Sequence, residues 1–380
     1  MAHLTETPHE PPRGLQKVLA LNWGLALLVV AVAVTGFLML FSVAGGSYTP
    51  WAQPQILRFT LGFAIMFTIA MIPIRFWLIM AIPAYLLCIC LLVLVEFIGV
   101  TGMGAQRWID LGFMRLQPSE LAKIGVVMVI AAYYHWLPEE KVSRPLYVIP
   151  PLATIALPMA LTVIQPDLGT ALLLGLGGAI VMFLAGVSWW YWGTAITAGV
   201  GTIVAVFQTR GTELQLLKDY QYRRIETFLD PSQDPLGAGY HITQSQIALG
   251  SGGWTGRGFM QGTQSRLNFL PEKHTDFIFT TLGEEFGVLG GLVLLGLYAL
   301  IVIFCLVSAL TNAHRFGALL TLGIAVTFFF YFAVNMGMVM GLLPVVGVPL
   351  PLVSYGGSAM IVLMGAFGLV QSAHIHRVPR

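Results

Sequence analysis

The sequence predicts an all-α polytopic membrane protein: about ten transmembrane helices, with a large extracytoplasmic loop between the seventh and the eighth. Three observations predict it. Hydrophobic residues make up 57% of the chain and mean hydropathy is +0.82, far above an ordinary soluble domain. Solid Leu, Val, Ile and Ala runs long enough to cross a hydrocarbon core of about 30 Å recur along the whole length. They lack the alternating polarity of β-barrel strands. Charged residues are only 9%, yet Arg266, Glu272, Lys273, His274, Asp276, Glu284 and Glu285 gather where one long apolar run begins. Charged groups at a bilayer boundary are costly and face a cavity or a partner.

Taken in order, residues 1–18 are rich in Pro and Glu and read as a disordered cytoplasmic tail. Residues 19–380 read as a single membrane domain. Its apolar runs lie near 19–43, 56–73, 76–99, 119–136, 146–164, 169–187, 189–208, 277–309, 315–341 and 352–374. The first is too long for a signal-peptide core and has no clean cleavage context, so it reads as the first anchor. The eighth exceeds what a bilayer requires; Gly287, Gly290 and Gly291 predict that it tilts, kinks or begins outside the membrane.

Orientation follows from cations in the short loops. With the N-terminus inside, Arg13, Lys17, Arg75, Lys141, Arg144, Arg315, Arg377 and Arg380 are internal. Only Arg58, Arg107, Arg115 and Lys123 flank the short outer loops. Both termini therefore face the cytoplasm and the 209–276 loop faces outward. That loop has no apolar run able to form its own core, and its glycines suggest a segment lying over the membrane domain. Ile242 to Leu249 reads as a short amphipathic helix on the bilayer.

Several classes drop out. A net charge of +2 gives no reason to expect a nucleic-acid partner. Cys88, Cys90 and Cys305 fall inside apolar runs and read as small buried hydrophobes without metal-type spacing. No GxxxxGK[ST] loop is present, so any work comes from the substrate or an ion gradient.

Four constellations carry the candidate chemistry. In GAQRWIDLGFMRLQPSELAK, Pro118 and Ser119 start the fourth span, and Glu120 and Lys123 share a helix face. That pair is an internal salt bridge or half of a site. Arg107 and Arg115 flank the amphipathic Trp108-Ile109-Asp110 stretch; they cradle an anionic headgroup or snorkel. In IQPDLGTA, Asp167 is placed to N-cap the sixth span. The outer loop supplies Arg223, Arg257 and the sugar-compatible Gln244. In GLLPVVGVPLPLVSYGGSAM, prolines break the helix while Ser354 and its neighbouring glycines allow close packing or substrate contact. Glu96 lies inside the third span with no sequence neighbour, so its partner must come from another helix.

Asp276 is the key residue, with Lys273 and His274 beside it. Its bland role is N-cap of the eighth span; its functional role is general base, tuned by burial beside Phe277 and Phe279. His274 is a rival base. Glu284 and Glu285, two turns deeper, need partners as supporting groups.

Together, QPSELAK, QPDLGT, the long outer loop, LPEKHTDFIFTTLGEEFG and PLVSYGGS, in that order, resemble the SEDS family of bacterial membrane proteins. GTQSRLNFLPEKHTDF is more similar to the elongation branch than to the division branch. The resemblance covers nearly the whole chain. It implies a peptidoglycan glycosyltransferase polymerising lipid II at the outer face of the bacterial cytoplasmic membrane. By the family pattern the TDF aspartate, here Asp276, is the essential carboxylate. Joining an α-linked donor into a β-1,4 polymer inverts the anomeric centre, which needs a base rather than a covalent nucleophile. Lys123, Arg107, Arg115, Arg223 and Arg257, or a divalent ion such as magnesium or manganese, would stabilise the leaving diphosphate. A class B penicillin-binding protein and the elongation machinery are the implied partners. The rival reading is a flippase for the same lipid, which needs a polar path through both leaflets.

Overall fold

The computed structural model describes residues 14–102, 105–112, 114–212, 215, 219–234, 237–266 and 273–377. In chain order the elements are α1 (Leu15–Leu19), α2 (Trp23–Val43), α3 (Ala52–Met71), α4 (Ile74–Ile98), β1 (Val100–Gly102), β2 (Ala105–Asp110) and β3 (Arg115–Leu116). Next come α5 (Pro118–Trp136), α6 (Pro145–Ile164), α7 (Leu168–Leu184), α8 (Trp189–Gln208), α9 (Asp219–Leu229), α10 (Ala238–Gly252) and α11 (Thr263–Arg266). The chain closes with α12 (Ile278–Leu310), α13 (Arg315–Val339) and α14 (Gly357–Ile375).

Every apolar run coincides with a helix. Eight of these helices, α2, α3, α4, α6, α8, α12, α13 and α14, are long and apolar enough to cross a membrane. The other two are α7, with only 17 residues, and α5, which carries Glu120 and Lys123 in its first turns. The architecture is all-α and polytopic.

Local chemistry sets the boundaries. Asn22 accepts a hydrogen bond from Leu25 N at 3.1 Å, which caps α2 and separates it from α1. The first run is therefore two helices, and part of the expected tail, Leu15 to Val18, is helical. Residues 1–13 lie outside the described residues. Pro118 opens α5 at a position where its missing N–H costs nothing. The tenth run begins later than its hydropathy suggests, because Pro349 to Gly356 forms a turn against the bundle before α14 starts.

The core centres on α13 and α14, of whose spans 61% and 67% are buried, whereas α8 at the periphery is 6% buried. Tyr298, Phe328, Phe332 and Phe367 interlock there, with Tyr298 stacked on Phe332 at 4.8 Å. Cys88 and Cys305 are buried as expected, but Cys90 is exposed on α4. Glu96 needs no partner from another helix: it is exposed in the last turn of α4, near the helix end at Ile98.

Two features were not legible as drawn from sequence. Trp108 to Asp110 belongs to the middle strand of a small antiparallel sheet of order β1-β2-β3, pairing Ile109 with Leu116 and Asp110 with Arg115. The segment 242–249 is helical, but within a longer α10 whose buried face, Ile242, Ser245 and Ala248, lies against protein. α10 packs on α12 and α13 rather than on lipid alone.

The expected kink in the eighth run is a full break. Gly287 has φ 64 and ψ −161, which interrupts α12. The break releases backbone groups that pair with the 253–258 segment of the loop. Arg257 N donates to Glu284 O and Gly258 N to Glu285 O, both at 3.0 Å. Val288 N donates to Gly253 O at 2.9 Å and Leu289 N to Trp254 O at 3.1 Å. Only glycine fits here: a Cβ at 287 would stand 2.6 Å from Trp254 O and closer still to Gly256 N.

Candidate active site

Asp276 sits in the turn that leads into α12. Three consecutive carbonyls of that turn are each held by a donor from a distant element. Tyr355 N donates to His274 O at 2.9 Å, Ser354 Oγ to Thr275 O at 2.6 Å, and Asn335 Nδ2 to Asp276 O at 2.8 Å. The donors are themselves fixed. Asn335 also donates to Val348 O at 2.6 Å, Ser354 Oγ accepts from Leu350 N at 2.7 Å, and Gln55 Nε2 donates to Ser354 O at 2.9 Å. Pro349 to Tyr355 thus acts as a cradle for the turn. A buried donor that lost its partner here would leave an unsatisfied group costing about 1–3 kcal/mol.

Asp276 stands one residue before the N-cap position of α12. The N-cap position is Phe277, whose side chain makes no capping hydrogen bond. Asp276 Oδ2 lies 3.5 Å from the point a Cβ on Gly347 would occupy, an ordinary contact distance, so the carboxylate lies beside the 341–347 turn. His274 stacks on Trp51 at 3.9 Å between ring centroids, and Trp51 meets Tyr355 edge-on at 5.0 Å. Arg58 lies over the Tyr355 ring at 4.7 Å. Lys273 is half-buried, and that burial lowers its ammonium below the ordinary lysine value.

A second polar cluster lies on the other side of the cradle. Lys123 Nζ pairs with Glu120 Oε1 at 2.8 Å, both side chains being buried. Tyr331 OH donates to Glu120 Oε2 at 2.6 Å, and Lys123 stands over the Tyr331 ring at 4.1 Å. These three residues line a cavity of about 30 Å³ together with Pro349, Leu350, Ser354 and Gly356. Tyr331 and Asn335 are one turn apart on α13, so this helix carries one contact to each cluster.

A third cluster fixes the start of α5. Asp167 caps α7 by accepting from Thr170 N at 3.2 Å, as its position predicts. It also accepts from Gln117 Nε2 at 3.2 Å and lies 3.7 Å from an Arg107 guanidinium nitrogen. Arg107 Nε donates to Gln165 O at 3.0 Å, and another guanidinium nitrogen donates to Pro166 O. Gln117 N reaches Ser358 Oγ on α14 at 3.3 Å, next to the cradle. Ser119 is buried beside Pro118.

The remaining expected residues are dispersed. Trp108 is half-buried against Gly102 in the sheet, and Arg115 is exposed, 3.9 Å from Asp110. Arg223 is exposed on α9, and Gln244 is half-buried on α10. Arg257 is exposed, donating to Thr263 Oγ1 at 2.8 Å. Glu284 and Glu285 are fully buried in the first turns of α12. Glu272 lies outside the described residues. Among the described residues no group of three or more His, Cys, Asp or Glu is assembled to hold a metal.

Sequence reasoning missed Asn335, Tyr331, Gln55 and Trp51. Asn335 carried a usable signal: an amide inside an apolar span must find partners there.

A family described as cell cycle protein, comprising FtsW, RodA and SpoVE, matches residues 16–378. The peptidoglycan glycosyltransferase MrdB of Escherichia coli is 45% identical over 361 residues, 93% of each chain. A probable peptidoglycan glycosyltransferase FtsW of Marinobacter nauticus is 35% identical, covering 94% of this chain and 90% of its own. The crystal structure of Thermus thermophilus rod shape determining protein RodA aligns with TM-score 0.71 at 28% identity, over 94% of this chain and 98% of that one. A chain solved in work on the coordination of polymerization and crosslinking by a peptidoglycan synthase complex aligns with TM-score 0.81 at 32% identity. That alignment covers 94% of this chain and 98% of the other.

Proposed function

Because the chain belongs to the FtsW, RodA and SpoVE family and is a peptidoglycan glycosyltransferase of the elongation branch, we propose that Asp276 is its general base. The observation that carries this reading is the set of donors on the carbonyls of residues 274, 275 and 276. A backbone held at three successive points fixes where the next side chain reaches, which is what a base needs to meet a hydroxyl at about 3 Å.

The reaction balances without a cofactor-borne electron. Asp276 takes the proton of the acceptor sugar's 4-hydroxyl as that oxygen attacks the donor's anomeric carbon. The carbon–oxygen bond to the diphosphate breaks, and undecaprenyl diphosphate leaves as an anion. Attack opposite the leaving group converts the α linkage to β-1,4. The sugar–diphosphate bond supplies the driving force.

Lys123, with Glu120 fixing its ammonium, is the best-supported cation for the diphosphate, because the pair borders the cradle of Asp276. Arg115, Arg223, Arg257 and Lys273 belong to the outer face in this reading. Arg107, bound to Asp167 and the Gln165–Pro166 backbone, shapes the entrance with Trp108. Gln244, His274 and Ser354 contribute hydrogen-bonding groups around the sugars. A magnesium or manganese ion would share the neutralisation of the diphosphate.

We read the ten helices that match the apolar runs as ten crossings of the bacterial cytoplasmic membrane. Both termini are then cytoplasmic, and the 209–276 loop and the site face outward. The likeness to a chain from a peptidoglycan synthase complex supports a class B penicillin-binding protein as partner within the elongation machinery.

Polymerisation of labelled lipid II by the purified protein with its transpeptidase partner tests the reading. Wild type is expected to make polymer, and folded Asp276→Ala and Asp276→Asn to make none. Equal polymer from all three would remove Asp276 as the base. No polymer from folded wild type would favour transport of the same lipid.

A further inference from the structure

The first part of α12, residues 278–286, behaves as a short rod. At 1.5 Å per residue it is about 13 Å long. One end follows directly from Asp276, and the other ends at the break of Gly287. Every residue from Ile278 to Glu285 is buried. Beyond Gly287 the helix axis is free to take a separate course, so the rod is positioned by its own anchors and not by the rest of α12.

Its far end carries Glu284 and Glu285, and both carboxylates tie it to other parts of the molecule. Glu284 Oε1 accepts three hydrogen bonds, from Thr263 N at 2.7 Å, Thr263 Oγ1 at 3.0 Å and Gln264 N at 3.0 Å. It therefore holds the outer loop. Glu285 Oε1 accepts from Ser42 Oγ at the end of α2, and the carboxylate also receives the backbone N–H of Met260, so it ties the rod to the bundle as well as to the loop. The second oxygen of each is buried without a hydrogen-bond partner, and among the described residues neither carboxyl has a cation within ion-pair distance. Each group works through a single accepting oxygen. An amide supplies the same oxygen without the charge.

We propose that Glu284 and Glu285 are positioning residues for the glycosyl transfer: they lock the far end of the rod whose near end carries Asp276. The proposal rests on Asp276 being the base. Their contribution is as hydrogen-bond acceptors, so charge is dispensable and shape is not. Displacing reacting groups by about 1 Å costs roughly 100-fold in rate.

The test compares Glu284→Ala, Glu284→Gln, Glu285→Ala, Glu285→Gln, Ser42→Ala and Thr263→Pro, each assayed for lipid II polymerisation with the transpeptidase partner. Thr263→Pro removes both donors of Thr263 while keeping a residue tolerated at a helix start. Wild type and Asp276→Asn run alongside, so that failure of the base assignment shows independently. The alanine variants are expected to lose about 100-fold in kcat, with KM for lipid II within about threefold. The glutamine variants should stay within about tenfold of wild type. Thr263→Pro combined with Glu284→Ala should cost no more than the worse single variant, since both remove one contact. Thermal unfolding identifies any variant that fails to fold, and the glutamine and Thr263 variants then decide. Glutamine variants as inactive as alanine, while folded, would overturn the proposal in favour of direct acid or metal chemistry. Folded alanine variants with wild-type kcat would overturn it as well.

Discussion

The two halves of α12 are continuous in sequence and unlike in every other respect. Before Gly287 the helix carries Thr280, Thr281, Glu284 and Glu285, all buried. After it the helix presents Val288, Leu289, Val293, Leu300, Ile303, Val307 and Leu310 outward, with no charged residue at all. One half is buried beside the candidate site, and the other is a membrane helix with an apolar coat. A hydropathy profile averages across both. The difference shows that an apolar run does not have one environment, and that a single glycine with positive φ can separate two.

Removing the joint at Gly287 acts on both halves at once. Positive φ alone costs a non-glycine residue roughly 1–2 kcal/mol. At Gly287 a side chain also collides with the 254–256 backbone. Gly287→Val is therefore expected to be the most damaging change in the helix, lowering the thermal midpoint by many degrees and abolishing polymerisation. A variant that unfolds and polymerises like wild type would mean that the two halves are one helix in function.

The same comparison explains what was legible in the sequence. Apolar runs gave the helices, because lipid and protein core both demand satisfied backbone and apolar side chains. Gly287, Gly290 and Gly291 announced an irregularity in the eighth run, though not that the 253–258 segment would fill the break. Asp276 was legible as a candidate through its motif and its place before Phe277. Its support was not: the donors to its turn come from Asn335, Ser354 and Tyr355, and no local spacing links them to it. Glu284 and Glu285 read as groups needing partners, yet Ser42 lies 243 residues away in sequence. Glu120 and Lys123 were the opposite case. Their pairing is set by helix geometry within one turn, so it was readable, while Tyr331 closing the cluster was not.

The hairpin that ends the second half offers an intermediate test, at the face opposite the site. His314 caps α13, with its Nδ1 accepting from Gly317 N at 3.4 Å. Its ring stacks on His135 at 4.8 Å. Burial lowers its affinity for a proton below that of an ordinary histidine, and the nearby His135 and Arg75 add to the effect. The unfolded chain therefore binds more protons than the folded one at pH values below about 6.5, so stability falls as pH drops through that window. Protonation at Nδ1 also removes the acceptor that caps the helix. Thermal unfolding at pH 5 and pH 7.5 should show wild type losing about 1 kcal/mol at the lower pH, a typical cap contribution. His314→Asn keeps a capping acceptor without titrating there and should flatten that part of the loss. An unchanged pH slope in the variant would place the sensitivity elsewhere.

The smallest effect is expected on the outward face of the second half. Leu300 and Ile303 are 43% and 50% exposed, and in a bilayer that exposure is to acyl chains. Lipid tails solvate a leucine as well as another leucine does, so truncation there leaves no cavity and loses little packing. Leu300→Ala and Ile303→Ala should each change the stability of the isolated protein by no more than about 0.5 kcal/mol. Ile301→Ala, one position away and fully buried, should cost about 2–5 kcal/mol by opening a cavity in the core. If Ile303→Ala destabilised the isolated protein as much as Ile301→Ala, the second half would be packed on all sides. Its contrast with the first half would then rest on polarity alone, not on what each half faces.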